Sequence, residues 1–148
     1  MWHRCLVVAL LLLAGAASAA ELPIVGILAM GTDPTAKLPR WERFYSRLRE
    51  LGGRDGENLR LEPRFAAGDA AKMDTILRDF VHARVAVVVV TGAGEALAAK
   101  HATATIPIVM LQVLDPVELG LVHSLARPGG NITGRTQKIG RASCRERV

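Results

Sequence analysis

Three short segments carry the residue types that could hold a small molecule. They are Met30-Gly31-Thr32-Asp33, Thr91-Gly92-Ala93-Gly94-Glu95 and Leu114-Asp115-Pro116, and each follows an apolar run. In open α/β sheets, ligands sit in loops at the carboxyl ends of strands. The second segment leads into the N-terminus of a helix, where unpaired backbone N–H groups and the helix dipole favour an anion. Gly92 and Gly94 let a ligand come close to the backbone. A solute carboxylate fits such a nest. The competing reading is a plain strand-to-helix turn in which Glu95 complements the dipole. Asp115 could hold a ligand ammonium, or it could cap a helix that starts at Pro116. Asp33, before Pro34, suits a turn as well as a ligand contact.

Other chemistries find little support. Gly92–Leu97 reads G-x-G-x-x-L, lacks the last small residue of a dinucleotide fingerprint and follows the third strand rather than the first. No phosphate-binding P-loop occurs. His82, His101 and His123 lack metal-ligand spacing. Ser46 and Ser124 lack the strained elbow of a nucleophile. The pairs Asp74/Asp79 and Glu57/Glu62 read as solvated charges. Asn131-Ile132-Thr133 matches a glycosylation triplet, a pattern short enough to arise by chance. The expectation is a binding protein rather than an enzyme, with no cofactor and no metal.

The elements that must position these loops follow from periodicity. Pro23–Met30 is a buried strand, and Pro39–Leu51 a helix with Trp41, Phe44, Tyr45, Leu48 and Leu51 at helical spacing. Pro39 suits the first helical turn and Gly52-Gly53 the end. Asn58–Phe65 alternates and carries Pro63, which marks an edge strand. Asp69 is placed to cap a helix over Ala70–Ala83. Val85–Val90 is an uninterrupted β-branched run, as expected of a parallel strand covered on both faces. A small-residue helix over Glu95–Thr103, a strand over Ile106–Leu111, a helix over Pro116–Ala126 with Leu119, Val122 and Leu125 inward, and a strand opening at Asn131-Ile132-Thr133 complete the order. This alternation implies an α/β fold with a doubly wound parallel sheet.

The two ends read differently from the body. Residues 1–19 combine a basic start, the apolar run Leu6–Ala14 and the small-x-small site Ala17-Ser18-Ala19, the pattern of a secretory signal peptide. The run is shorter than the roughly 20 residues that span a bilayer. Residues 138–148 carry four cations with no apolar period, and Ile139–Val148 resembles the conceptual translation of a sequencing-adapter oligonucleotide. The expected division is a signal peptide at 1–19, a truncated lobe at 20–137 and an artefactual, disordered tail at 138–148. Setting aside Arg4, Lys138, Arg141, Arg145, Arg147 and Glu146 lowers the formal net charge from +5 to +1 for residues 20–137. No basic cluster remains to attract nucleic acid. Cys5 and Cys144 both lie in the ends, so the body has no disulfide or thiolate chemistry.

Residues 98–134 contain Ile106-Pro107-Ile108-Val109, Asp115-Pro116-Val117, Gly120-Leu121-Val122 and Ser124–Asn131, SLARPGGN, followed by Thr133-Gly134. This wording resembles the solute-binding proteins of an ABC-importer family, IPIV…DPV…GLV.SLARPGGN.TG. The resemblance covers roughly residues 22–134. It implies the first lobe of a two-lobed, type I periplasmic-binding-protein fold, with ligand in the cleft between lobes. It also implies a periplasmic monomer that captures a small, amino-acid-like solute and delivers it to an ABC permease. The family usually has Gly-Thr-Pro where this chain has Gly92-Ala93-Gly94, so a Thr hydroxyl is missing at Ala93. An extracytoplasmic sensor or regulator lobe of the same fold and an exported α/β enzyme fragment are the alternatives. With one wall of a cleft, residues 20–137 alone are expected to expose apolar surface and to show no measurable solute affinity.

Overall fold

The computed structural model describes residues 21–31 and 39–136, with backbone only at 39 and 40. The signal segment at 1–19, Thr32, Asp33 and the tail at 138–148 lie outside the described residues.

Among the described residues, five strands and three helices follow one another: β1 (Ile24–Ala29), α1 (Pro39–Glu50), β2 (Arg60–Phe65), α2 (Ala70–His82), β3 (Val87–Val90), α3 (Ala93–Ala102), β4 (Ile108–Val113) and β5 (Ile132–Thr136). All neighbouring strands pair in parallel, in the order β2-β1-β3-β4-β5. The chain leaves β1 in one direction to form β2 and returns on the other side to form β3. The β1/β3 junction is therefore the topological switch point, where open sheets of this kind form a crevice at their carboxyl edge.

Both faces of the sheet are covered, as a parallel sheet requires. On one face α2 and α3 bury Met73, Ile76, Leu77, Phe80, Ala96 and Ala99 against Leu28, Val88, Val90, Ile108, Met110 and Ile132. On the other, α1 buries Trp41 against Ile27, Ala29 and Val89. Trp41 stacks on Tyr45 at 6.1 Å and meets Phe44 edge-on at 6.0 Å, so one aromatic cluster anchors the helix. Gly26 has no side chain because Phe80 occupies the space: a Cβ there would lie 3.0 Å from the ring.

The helix ends follow the expected local chemistry. Asp69 accepts hydrogen bonds from the N–H groups of Ala71 at 2.8 Å and Lys72 at 3.2 Å, capping α2. After α1, Gly52 takes a φ of 90°, and the N–H of Gly53 reaches the Leu48 carbonyl at 2.9 Å. That is the left-handed glycine stop. Pro63 lies on β2, an edge strand, where its missing N–H breaks no ladder.

One element differs from the sequence expectation. No helix forms over Pro116–Ala126. A single turn runs from Asp115 to Gly120, with the Leu119 N–H donating to the Asp115 carbonyl at 3.1 Å. Gly120 then adopts a φ of 64°, and a left-handed residue ends a helix. The Gly120 carbonyl accepts from the Lys100 ammonium instead of from a helical N–H. Leu121 and Val122 pack into the core, whereas Leu119 and Leu125 are exposed. The inward set is thus Leu121 and Val122, not Leu119, Val122 and Leu125.

Candidate functional site

The carboxyl edge brings the β1, β3 and β4 loops to one side of the molecule. Met30 and Gly31 end β1, Thr91 and Gly92 end β3, and Leu114 to Pro116 end β4. The central pair is joined by a buried side chain. Glu95, 6% exposed, lies in the first turn of α3. Its Oε1 accepts from the Met30 backbone N–H at 2.9 Å and from the Thr91 hydroxyl at 2.9 Å. The carboxylate therefore spans the switch point from the α3 side.

Gly92 caps α3 without a side-chain hydrogen bond, in extended backbone at φ −139°. The first intrahelical bond of α3 runs from the Ala96 N–H to the Gly92 carbonyl at 3.1 Å. The N–H groups of Ala93, Gly94 and Glu95 thus precede the helical ladder. Glu95 curls back over this terminus: a Cβ on Gly92 would lie 2.6 Å from Glu95 Oε2. Absence of a side chain at 92 is what lets the carboxylate take that place. A carboxylate beside a helix N-terminus complements its dipole, as the plain-turn reading of Glu95 expected.

Asp115 does not cap a helix. Its φ of 43° is left-handed, whereas a capping residue is extended, and only one turn follows it. Its side chain is exposed at the carboxyl edge beside exposed Leu114, while Pro116 is buried. Ala67, after β2, is the other left-handed non-glycine residue on this edge, at φ 53°. Backbone strain of this kind collects where loops are shaped for contact. The Gly68 N–H donates to the Met30 carbonyl at 2.8 Å, so the β2 loop also leans on the β1 loop.

A groove of about 380 Å³ runs from Thr91 along the α1 face, walled by Trp41, Phe44, Leu48 and Leu111, with Gln112 and Arg135 at its margin. Sequence reasoning assigned Trp41 and Leu111 to the core and gave Gln112 and Arg135 no role. No spacing in the chain signals that these residues share a wall with Thr91. A larger concavity, about 730 Å³, lies elsewhere, between the end of α1 and the β2 edge around Tyr45, Arg54, Asp55 and Leu61. It flanks the amino-terminal half of β2, away from the switch point. Among the described residues no group of His, Cys, Asp and Glu could hold a metal ion. No helix among them is long and apolar enough to cross a membrane.

A doubly wound parallel lobe with an open carboxyl edge defines the class: one lobe of a periplasmic-binding-protein-like fold. Residues 27–140 match the family described as ABC transporter substrate binding protein, and the chain belongs to that family. It is 38% identical over 96 residues to the tyrosine-binding protein of Clostridioides difficile strain R20291, covering 65% of this chain and 28% of that protein. Among solved structures, it is similar to an ABC domain from Streptococcus pneumonia in complex with L-Trp, with a TM-score of 0.70, 27% identity, and coverage of 78% of this chain and 39% of that one. A substrate binding protein with adhesive properties from Clostridium difficile, in its ligand-free, open structure, also superposes with a TM-score of 0.70, at 30% identity, covering 76% of this chain and 38% of that one. The chain thus spans well under half the length of the relatives it matches.

Proposed function

We propose that residues 20–137 form the first lobe of the solute-binding component of an ABC importer. The lobe supplies one wall of a cleft that takes an amino-acid-like solute, and a second lobe closes on it. The closed form is then delivered to a membrane permease. Residues 1–19 export the chain to the periplasm, where it works as a monomer.

One observation carries this reading. The loops at Met30-Gly31 and Thr91–Gly94 lie side by side at the carboxyl ends of β1 and β3, joined through Glu95, at the topological switch point, where ligands of this fold class bind. Leu114, Asp115 and Pro116 extend the wall along the same edge, and Thr32 and Asp33 continue the first loop in sequence. The relatives named for tyrosine binding and solved with L-Trp support an amino acid as the solute class. L-tyrosine and L-tryptophan are the first solutes to try.

The test is calorimetric titration and thermal shift of the protein expressed with the whole of its reading frame, against the amino acids and small carboxylates. Saturable one-to-one binding with a rise in Tm is expected. No binding and no shift with any solute would overturn the proposal.

A further inference from the structure

We infer that Lys100 is a positioning residue for the solute site: its ammonium, bound to the Gly120 carbonyl, holds the Asp115–Gly120 turn in the pose that a solute meets. This rests on the solute-binding reading above, in which Leu114, Asp115 and Pro116 extend the wall of the cleft. It names the group that fixes that part of the wall.

The segment from Leu114 to Asn131 joins β4 to β5 without a helix or strand of its own. It exceeds the roughly 12–15 residues beyond which structureless connections become uncommon and are usually functional. Its first turn closes on itself. The Leu119 N–H donates to the Asp115 carbonyl at 3.1 Å, and the Leu121 N–H to the Pro116 carbonyl at 2.9 Å. Asp115 sits in this turn at φ 43°. A non-glycine residue stays in the left-handed region only where its surroundings hold it there.

Packing supplies part of that hold, through buried Pro116, Leu121 and Val122. Behind the turn, however, lies a hollow of about 380 Å³ lined by Val117, Gly120, Leu121 and Ile132. The turn is therefore not wedged tightly against the body of the lobe. Lys100 lines the same hollow, and its ammonium donates to the Gly120 carbonyl. A lysine in the last turn of a helix ordinarily complements that helix's own dipole. Lys100 reaches beyond its helix, to a carbonyl twenty residues on. Among the described residues, this is the one hydrogen bond that ties Asp115–Gly130 to the rest of the lobe.

A hydrogen bond from a charged donor is about twice as strong as a neutral one. Gly120 ends the turn that Asp115 begins, so releasing Gly120 frees Asp115 to leave its strained conformation. An arriving solute must then order the turn, and affinity falls. α3 carries a tie at each end: Glu95 in its first turn joins the β1 and β3 loops, and Lys100 in its last turn joins the β4 loop. One helix thus sets all three loops against one another.

Lys100→Met keeps the length of the side chain and removes the donor, whereas Lys100→Arg keeps charge and donors. The measurement is calorimetric titration of the whole-reading-frame protein with the amino acid it binds best, for the wild type, K100M, K100R, Asp115→Ala and the double variant K100M/D115A. K100M should weaken binding about 3- to 10-fold, the range of one hydrogen bond, and K100R should recover most of the loss. D115A should weaken binding as well. In that background K100M should add less than about twofold, because the residue it positions is gone. A purely structural lysine would not show this coupling. Should K100M fail to fold, Lys100→Gln, which keeps a neutral donor, takes its place in the same cycle with a smaller loss.

Equal fold-losses from K100M in the two backgrounds would make Lys100 a structural tether only and overturn the inference. Unchanged affinity in K100M, or in D115A, would overturn it too. Failure of the wild type to bind any amino acid would instead remove the solute-binding reading, and this inference with it.

Discussion

The Met30 backbone N–H donates to Glu95 Oε1 at 2.9 Å, joining the end of β1 to the first turn of α3 across 65 positions of sequence. The Thr91 hydroxyl donates to the same oxygen at 2.9 Å. One buried carboxylate oxygen therefore ties together the two loops that flank the switch point.

Glu95→Ala removes the acceptor from both donors, and a buried donor left unmade costs about 1–3 kcal/mol. A loss of about 2 kcal/mol in urea unfolding is expected, against less than about 1 kcal/mol for Glu95→Gln, which keeps an acceptor oxygen. Equal losses for the two variants would show that the hydrogen bonds do not set the stability of this junction.

Ala67 offers a change of the opposite sign. Its φ of 53° places an L side chain in the left-handed region, and the residue is exposed. Glycine relieves that conformational cost but adds freedom to the unfolded chain. Ala67→Gly should stabilise the fold by about 0.5–1 kcal/mol, read as a higher urea midpoint with an unchanged slope. A lower midpoint would contradict the assigned conformation.

Gly26 and Phe80 are coupled through space. A Cβ at 26 lies 3.0 Å from the Phe80 ring, which is 1% exposed and cannot move into solvent. Gly26→Val should cost about 1–3 kcal/mol by overpacking. Phe80→Leu should recover part of that loss in the double variant, so a thermodynamic cycle checks the contact. Strict additivity would mean that the two positions do not touch.

Tyr45 gives the pH dependence. Burial first, and the negative charge of Asp55 second, raise its phenol above its ordinary value of 10.0. The folded state then holds the proton more tightly than the unfolded chain. The resulting stability is fully present below pH 10, and it is lost as the pH rises through the folded value. Tyr45 is the chain's single tyrosine, so phenolate absorbance reports it directly. Asp55→Asn should move the midpoint back toward the ordinary value but not all the way. A midpoint unmoved by this substitution would remove Asp55 as a cause.

Much of this architecture was legible in the sequence, because burial on both faces leaves a strong trace. The β-branched run ending at Val90 became the central strand, Pro63 marked the edge, and Asp69 and Gly52 ended their helices as local chemistry requires. The segment after β4 was misread. Leu119, Val122 and Leu125 imitate helical spacing, yet Gly120 turns left-handed and Lys100, twenty residues earlier, binds the carbonyl that a helix would use. Long-range contacts of that kind leave no periodic trace. The role of Glu95 was hidden for the same reason. Its position in a first helical turn suggested dipole complementarity, but its partner Met30 could be found only once the sheet had placed β1 beside β3.

Amide chemical-shift mapping of the whole-reading-frame protein, titrated with the amino acid it binds best, tests the central claim most directly. The largest shifts are expected at Gly31, Gly92, Ala93 and Gly94, with smaller ones at Leu114 and Asp115. Shifts confined to Tyr45, Arg54 and Leu61, around the larger concavity beside β2, would place the solute elsewhere and contradict the account.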